Sequence, residues 1–344
     1  MAIRFTKPTL IRRDMDAVLQ TMVDEKIGPG ERKKEFVRNY SAHIGKKDGI
    51  VLRTYPDAIA FTLRALSLSS GDVVALSIFT PNVVCQVLSS FGLDVRILDS
   101  SKTSPISEEA LEEVKSEGLK AVYLFEPMGF IPESKDVFAS LGVPVIEDIS
   151  ESMDSYYEDG IRAGDVGDVV ITSFEERSLI SSAGGSGAFS GKEAFVDALK
   201  KEAGKTGRYT DMPDLNASLG NMQLLKLEET MEIRREIARA YQSSLQKSEA
   251  KPFLPKSSSY KTNGYAFPLI IDGRIDDAKK FAKDNGVEIE EGFSNAVGYK
   301  YRNEFELFPN GNAALSRCLV FPLYPMLKRS EIDTIEKVIR HIGG

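Results

Sequence analysis

The 344-residue sequence predicts an α/β protein: a large domain on a mostly parallel, seven-stranded sheet flanked by helices, then a small C-terminal α+β domain. Three observations predict it. Short apolar runs alternate with amphipathic stretches between residues 49 and 190, the pattern of repeated strand–helix units in a sheet covered on both faces. A helical segment too long for an ordinary globular helix follows at 214–246. Beyond it, short strands mix with two helices. The large domain is therefore expected over 1–246, N-terminal helices included, and the small one over 247–344.

The elements follow in order. Residues 12–25, RRDMDAVLQTMVDE, put Met15, Val18, Leu19, Met22 and Val23 on one helical face. GPG at 28–30 ends that helix, and ERKKEFVRNYSAHIG begins another. GIVLRT, DVVALSIF, DVRILD, KAVYLFE and VPVIEDI have the character of strands. DAIAFTLRAL, PNVVCQVLSSFG, SEEALEEVKSEG and ESKDVFASLG are the helices among them, and DVVITSF and GGSGAFS add the last two strands of the sheet. The long stretch DLNASLGNMQLLKLEETMEIRREIARAYQSSLQ is expected to bend or to bridge domains. KSEAKPFLPKSSSYKTNG reads as a connector. The small domain is expected from YAFPLIID, IDDAKKFAKDNG, VEIEEG, CLVFPL and SEIDTIEKVIRHIGG.

Composition excludes several functions. A formal net charge of −7 argues against nucleic acid or an anionic membrane as the main partner. The two cysteines, Cys85 and Cys318, lie in apolar contexts and read as buried thiols without a disulfide framework. The two histidines, His43 and His341, stand at opposite ends of the chain, so neither a histidine metal site nor a Ser-His-Asp triad is expected. No metal is expected from Glu147, Asp148 and Glu151, which lack a fixed ligand spacing. The start, MAIRFTKPTLIRRDMDA, has no signal-peptide core, and runs such as VVALSIF are too short to span a bilayer. A cytoplasmic protein is expected.

Ligands of open parallel sheets bind at the carboxyl ends of strands. Three such ends stand out: RTYPDA at 53–58, EDISES at 147–152, and SFEERSLISSAGG at 173–185. The acids of the second either cap the next helix or meet a ligand. The third has a serine, a polar turn and a glycine pair, which suits an anion or cofactor, yet holds no lysine, histidine or cysteine.

In order and spacing these pieces resemble the sugar aminotransferases of the DegT/StrS type, fold-type I enzymes dependent on pyridoxal phosphate (PLP). The resemblance rests on KIGPGERKKEFVRNYSAHIG, LSSGDVVALSIFTPNVV, VIEDISES, ITSF with its glycine pair, LNASLGNMQLLKLEE with RREIARAYQSSL, and FPLYPMLKRSEIDTIEKVI. It implies a homodimer with the site across the subunit boundary, a nucleotide-sugar substrate, and a place in amino-sugar or polysaccharide biosynthesis. It further implies that Asp148 meets the pyridine nitrogen, that Glu151 stands where Gln or His usually lies beside the ring, and that Ser173 donates to the cofactor phosphate.

Three departures from that pattern converge on one site. The family's lysine, five residues after the serine, is Ser178 here, and a hydroxyl cannot form the internal aldimine. Arg177 beside it stays protonated, and Lys192 would need a rearranged loop. Thr54, Tyr55 and Pro56 replace the Ser-Gly-Thr-like phosphate turn, and proline has no N–H to give. Tyr209, Thr210, Asp211 and Met212 replace the family's Asn-Tyr-Arg-Met, exchanging an arginine for an acid. The resemblance thus implies PLP bound weakly or not at all, in a protein without normal transaminase activity that binds a nucleotide sugar or small metabolite. Two alternatives remain at this point. One is an enzyme using PLP or its amine form non-covalently, or using Asp148 and Glu151 for other sugar chemistry; the other is a transaminase rescued by a different lysine.

Overall fold

A computed structural model of the chain describes residues 2–255 and 259–342. Seven strands form one sheet in the order Asp48–Leu52, Ser186–Ser190, Val169–Ser173, Val145–Asp148, Leu119–Phe125, Val73–Ser77, Asp94–Leu98. The five from Val169–Ser173 to the Asp94–Leu98 edge run parallel. Ser186–Ser190 is antiparallel to both its neighbours. It returns through the helix-free loop 174–185, and only antiparallel pairing can be reached without a crossover.

Helices cover both faces. On one, Ile59 and Leu63 of the helix Tyr55–Ala65 pack over Leu76, Tyr123 and Ile171. On the other, Phe36 and Tyr40 of Glu31–His43 stack on Phe174 and Phe189 with ring centroids 4.9–5.1 Å apart. The long helical stretch divides into Asp214–Leu225 and Leu227–Leu245, with Lys226 between them at φ −109° and ψ 8°. The bend turns Ile237, Tyr241 and Leu245 onto a second core. That core lies on a four-stranded antiparallel sheet ordered Glu290–Glu291, Cys318–Phe321, Phe267–Ile270, Lys251–Pro252, and is closed by the helix Arg329–His341.

Several features depart from the sequence expectations. The helix expected in ESKDVFASLG is only Asp136–Ser140, and a short helix at Asn312–Arg317 was not expected. Ile3 joins the second core from the far end of the chain, its amide donating to Gly286 at 2.7 Å. Part of the expected connector, residues 256–258, lies outside the described residues. In the helix Arg12–Val23 the inward face is polar. Asp14 there accepts from the Ile11 amide (2.8 Å), Gln223 Nε2 (3.0 Å) and Lys226 Nζ (2.5 Å). Met15, Leu19, Met22 and Val23 face outward, 55–66% exposed. Among the described residues no helix is long and apolar enough to cross a membrane.

Candidate functional site

The strand Val145–Asp148 is buried along its whole length and delivers Asp148 at its carboxyl end with no exposed surface. Oδ1 accepts from the Ser150 amide at 3.0 Å and from Ser150 Oγ at 2.5 Å. Oδ2 accepts from the Tyr123 hydroxyl at 2.7 Å and from the Tyr55 hydroxyl. The two phenol oxygens lie 3.0 Å apart. An ionised carboxylate offers about four lone-pair sites, and the chain meets them all. Burial pushes the Asp148 carboxyl up, and the Ser150, Tyr55 and Tyr123 bonds pull it down. Burial and then the Asp148 charge raise both phenols well above their usual range, so they act as donors.

The turn at 54–56 is equally occupied. Thr54 caps the helix Tyr55–Ala65, its Oγ1 accepting from the Asp57 amide at 3.3 Å and donating to the Asp57 carboxylate at 2.6 Å. The Thr54 carbonyl accepts from Ser186 Oγ at 2.6 Å. The positive end of the helix dipole thus already faces a carboxylate of the chain.

In the third strand end, the Ser173 amide donates to Ser150 Oγ at 2.9 Å, and Ser178 Oγ lies 3.5 Å from Ser173 Oγ. Ser173 and Ser178 are therefore brought together, beside the Ser150 that binds Asp148. Lys192 points elsewhere: its side chain is 65% exposed and its Nζ bonds Asp168. Arg177 forms two bonds to Glu290, at 2.8 and 3.1 Å, and lies over the Phe5 ring, which ties the loop to the second core. The glycine pair has a steric reason. Gly185 sits at φ 108°, and a Cβ there would come within 2.9 Å of the Leu52 carbonyl. Asp211 is paired with Lys33 at 2.7 Å, Met212 is buried, and Tyr209 is 83% exposed. The Thr210 carbonyl accepts from the Arg53 amide at 2.8 Å.

A cavity of about 270 Å³ opens between the strand ends and the small sheet. Glu151, Arg177, Arg234, Tyr265 and Glu290 line its polar side, and Phe79 and Phe293 its apolar side. Glu151 accepts from the Met128 amide at 2.6 Å. Burial raises its carboxyl to about 7, the Met128 bond lowers it, and the Asp148 charge raises it. Arg234 Nη1 donates to the carbonyls of Tyr265 (3.2 Å) and Leu323 (2.8 Å), and burial lowers its guanidinium to about 10. No lysine lines the cavity, nor do Asp148, Ser173 or Ser178. The acidic strand end therefore serves three tasks. Glu147 holds the amides of Gly164 and Gly167, Asp148 holds the two tyrosines, and Glu151 faces the cavity; none caps a helix. Among the described residues no group of acids, histidines or cysteines is placed to hold a metal. Sequence reasoning missed Arg234, Tyr265 and Glu290 as cavity residues. Arg234 lies in the quoted RREIARAY stretch, but nothing local to it says which way it turns.

A helix-covered, seven-stranded sheet with acids at its strand ends, and a small sheet closing over them, defines a fold-type I protein. The chain belongs to the DegT/DnrJ/EryC1/StrS aminotransferase family, whose sequence model matches residues 8–340. It is 22% identical to the spore coat polysaccharide biosynthesis protein SpsC of Bacillus subtilis, over 98% of this chain and 96% of that one. Its fold is similar to that of Helicobacter pylori PseC, an aminotransferase involved in the biosynthesis of pseudoaminic acid. The TM-score is 0.88 at 17% identity, covering 98% of each chain. A GDP-4-keto-6-deoxymannose-3-dehydratase, solved with a trapped PLP-glutamate geminal diamine, is similar with a TM-score of 0.85 at 15% identity, over 98% of this chain and 99% of that one.

Proposed function

We propose that this chain is a sugar-aminotransferase family member that does not transaminate, and that it binds a small metabolite or the sugar end of a nucleotide sugar. The reading rests on Ser178, which spacing from Ser173 aligns with the family's lysine, and is supported by its place 3.5 Å from Ser173 Oγ and by a cavity that no lysine lines. A hydroxyl forms no imine with an aldehyde. The residues present do not fit a pyridoxal group in two other respects. The acid expected to meet the ring nitrogen, Asp148, is saturated by four donors of the chain. The turn expected to hold the phosphate has Pro56, without an N–H, and the Asp57 carboxylate. Loss of two or three charge-assisted bonds at about 1.5–3 kcal/mol each corresponds to several orders of magnitude in cofactor affinity.

The cavity supports the ligand class. At about 270 Å³ it falls just under the ~300–1,000 Å³ of ordinary small-molecule pockets. Aromatic faces at Phe79 and Phe293 and donors and acceptors at Arg234 and Glu151 suit a polar ring of sugar size. Similarity to relatives in polysaccharide and pseudoaminic acid biosynthesis supports a role beside an amino-sugar pathway, which we propose to be cytoplasmic. The exposed apolar face of the helix Arg12–Val23 supports a homodimer.

Incubation with stoichiometric PLP followed by borohydride is expected to leave the intact mass unchanged. Ser178→Lys alone is expected to restore no amino transfer, because Asp148 and the turn at 54–56 stay as they are. A stoichiometric adduct on one lysine of the unmodified protein would overturn the reading. A reversible cofactor spectrum without an adduct would instead favour non-covalent use.

A further inference from the structure

The Tyr55 side chain reaches Asp148 from the first position of the helix Tyr55–Ala65, 93 residues away in sequence. It is a six-membered aromatic ring that presents one O–H to Asp148 Oδ2, braced by the Tyr123 hydroxyl 3.0 Å away. A protonated pyridine would present the same hydrogen-bonding face: a flat ring and one N–H. We infer that Tyr55 is a built-in occupant of the ring slot beside Asp148, a side chain that takes the place of a pyridine ligand and closes that slot to cofactors. The inference deepens the reading above and relies on it for the role of the Asp148 position.

The geometry gives the slot its selectivity. Asp148 Oδ1 is held by Ser150 whatever happens to Tyr55, and Tyr123 alone remains on Oδ2 when the Tyr55 hydroxyl is gone. Truncation at residue 55 therefore frees one acceptor site on a fully buried carboxylate and the volume of one phenol beside it. A buried acceptor without a donor is costly, and an empty volume lined by packed side chains binds a ligand of matching shape. The vacated slot calls for a flat ring with a single donor. Phenols and 3-hydroxypyridines meet that requirement; aliphatic alcohols do not.

The test uses Tyr55→Ala and the unmodified full chain, with p-cresol and pyridoxine as probes, read by thermal shift. Pyridoxine carries no aldehyde, so its binding is indifferent to the residue at 178. Both probes are expected to raise the melting temperature of Tyr55→Ala by a few degrees and to leave the unmodified chain unmoved. Equal responses of the two proteins, no response of the folded variant, or a response to p-cresol alone would overturn the inference. If Tyr55→Ala does not fold, the unmodified chain is labelled with 3-fluorotyrosine. The Tyr55 resonance, assigned by its loss in Tyr55→Phe, is then expected to stay fixed in excess pyridoxine, and a saturable shift would overturn the inference. A lysine adduct with PLP refutes the proposed lack of transamination, whereas pyridoxine bound with Tyr55 in place refutes only the present inference.

Discussion

Glu151 is the cavity residue whose charge state is most open to a direct measurement. Its carboxyl is raised from the usual 4.5 to about 7 by burial. Between those values the folded state holds the proton and the unfolded state does not, so the unfolded chain binds fewer protons and stability falls as pH rises. The loss is complete above about 7 and is on the order of 3 kcal/mol for this one group. Urea midpoints measured from pH 4.5 to 8 are expected to decline over that window, and Glu151→Gln to flatten the decline by its share. Glu147, raised to about 7 by burial as well, supplies a parallel slope that the substitution leaves in place. The sequence named Glu151 through its distance from the acid strand, but only the fold buries it, which raises its carboxyl against the opposing bonds of the Met128 amide and Tyr265.

Helix ends show a second layer that local pattern does not carry. The helix Glu31–His43 starts at Gly30, which has no side chain to cap it. Asp214, in the first turn of the helix Asp214–Leu225, accepts from the amides of Gly30 (2.7 Å), Lys33 (2.8 Å) and Arg32 (3.1 Å). One carboxylate thus caps a helix start that lies more than 180 residues away in sequence. A Cβ on Gly30 would stand 2.8 Å from Asp214 Oδ2, so the glycine is what lets the two approach. Asp214→Ala leaves three amides without their acceptor and is expected to destabilise the fold by about 2–4 kcal/mol in urea unfolding. Gly30→Ala is expected to act through the same contact, so the double variant should lose less than the sum of the singles. The sequence showed where this helix begins, because GPG interrupts the periodicity, but not what satisfies its first turn.

For the whole molecule the open surface is the outer face of the first helix. Met15, Leu19, Met22 and Val23 are exposed there, and Leu10, Ile11 and Ile27 are exposed in the segments flanking the helix in sequence. We propose this apolar face as the surface that a second copy of the chain covers. Light scattering at micromolar concentration is expected to give a dimer, and Leu19→Glu with Met22→Glu to shift it to monomer; a monomer for the unmodified chain would refute the dimer. By itself the sequence determined the alternation of strands and helices, the order of the family's motifs, and the serine five residues after Ser173. Those are short-range or additive signals, written in periodicity and spacing. Only the tertiary structure decided that Tyr55 meets Asp148, that Arg177 is held by Glu290 and that Arg234 turns into the cavity. Each of those contacts joins segments far apart in the chain. Their partners are chosen when the sheet closes and the small core docks, because a buried charge or phenol must find whatever group the fold places within hydrogen-bond reach.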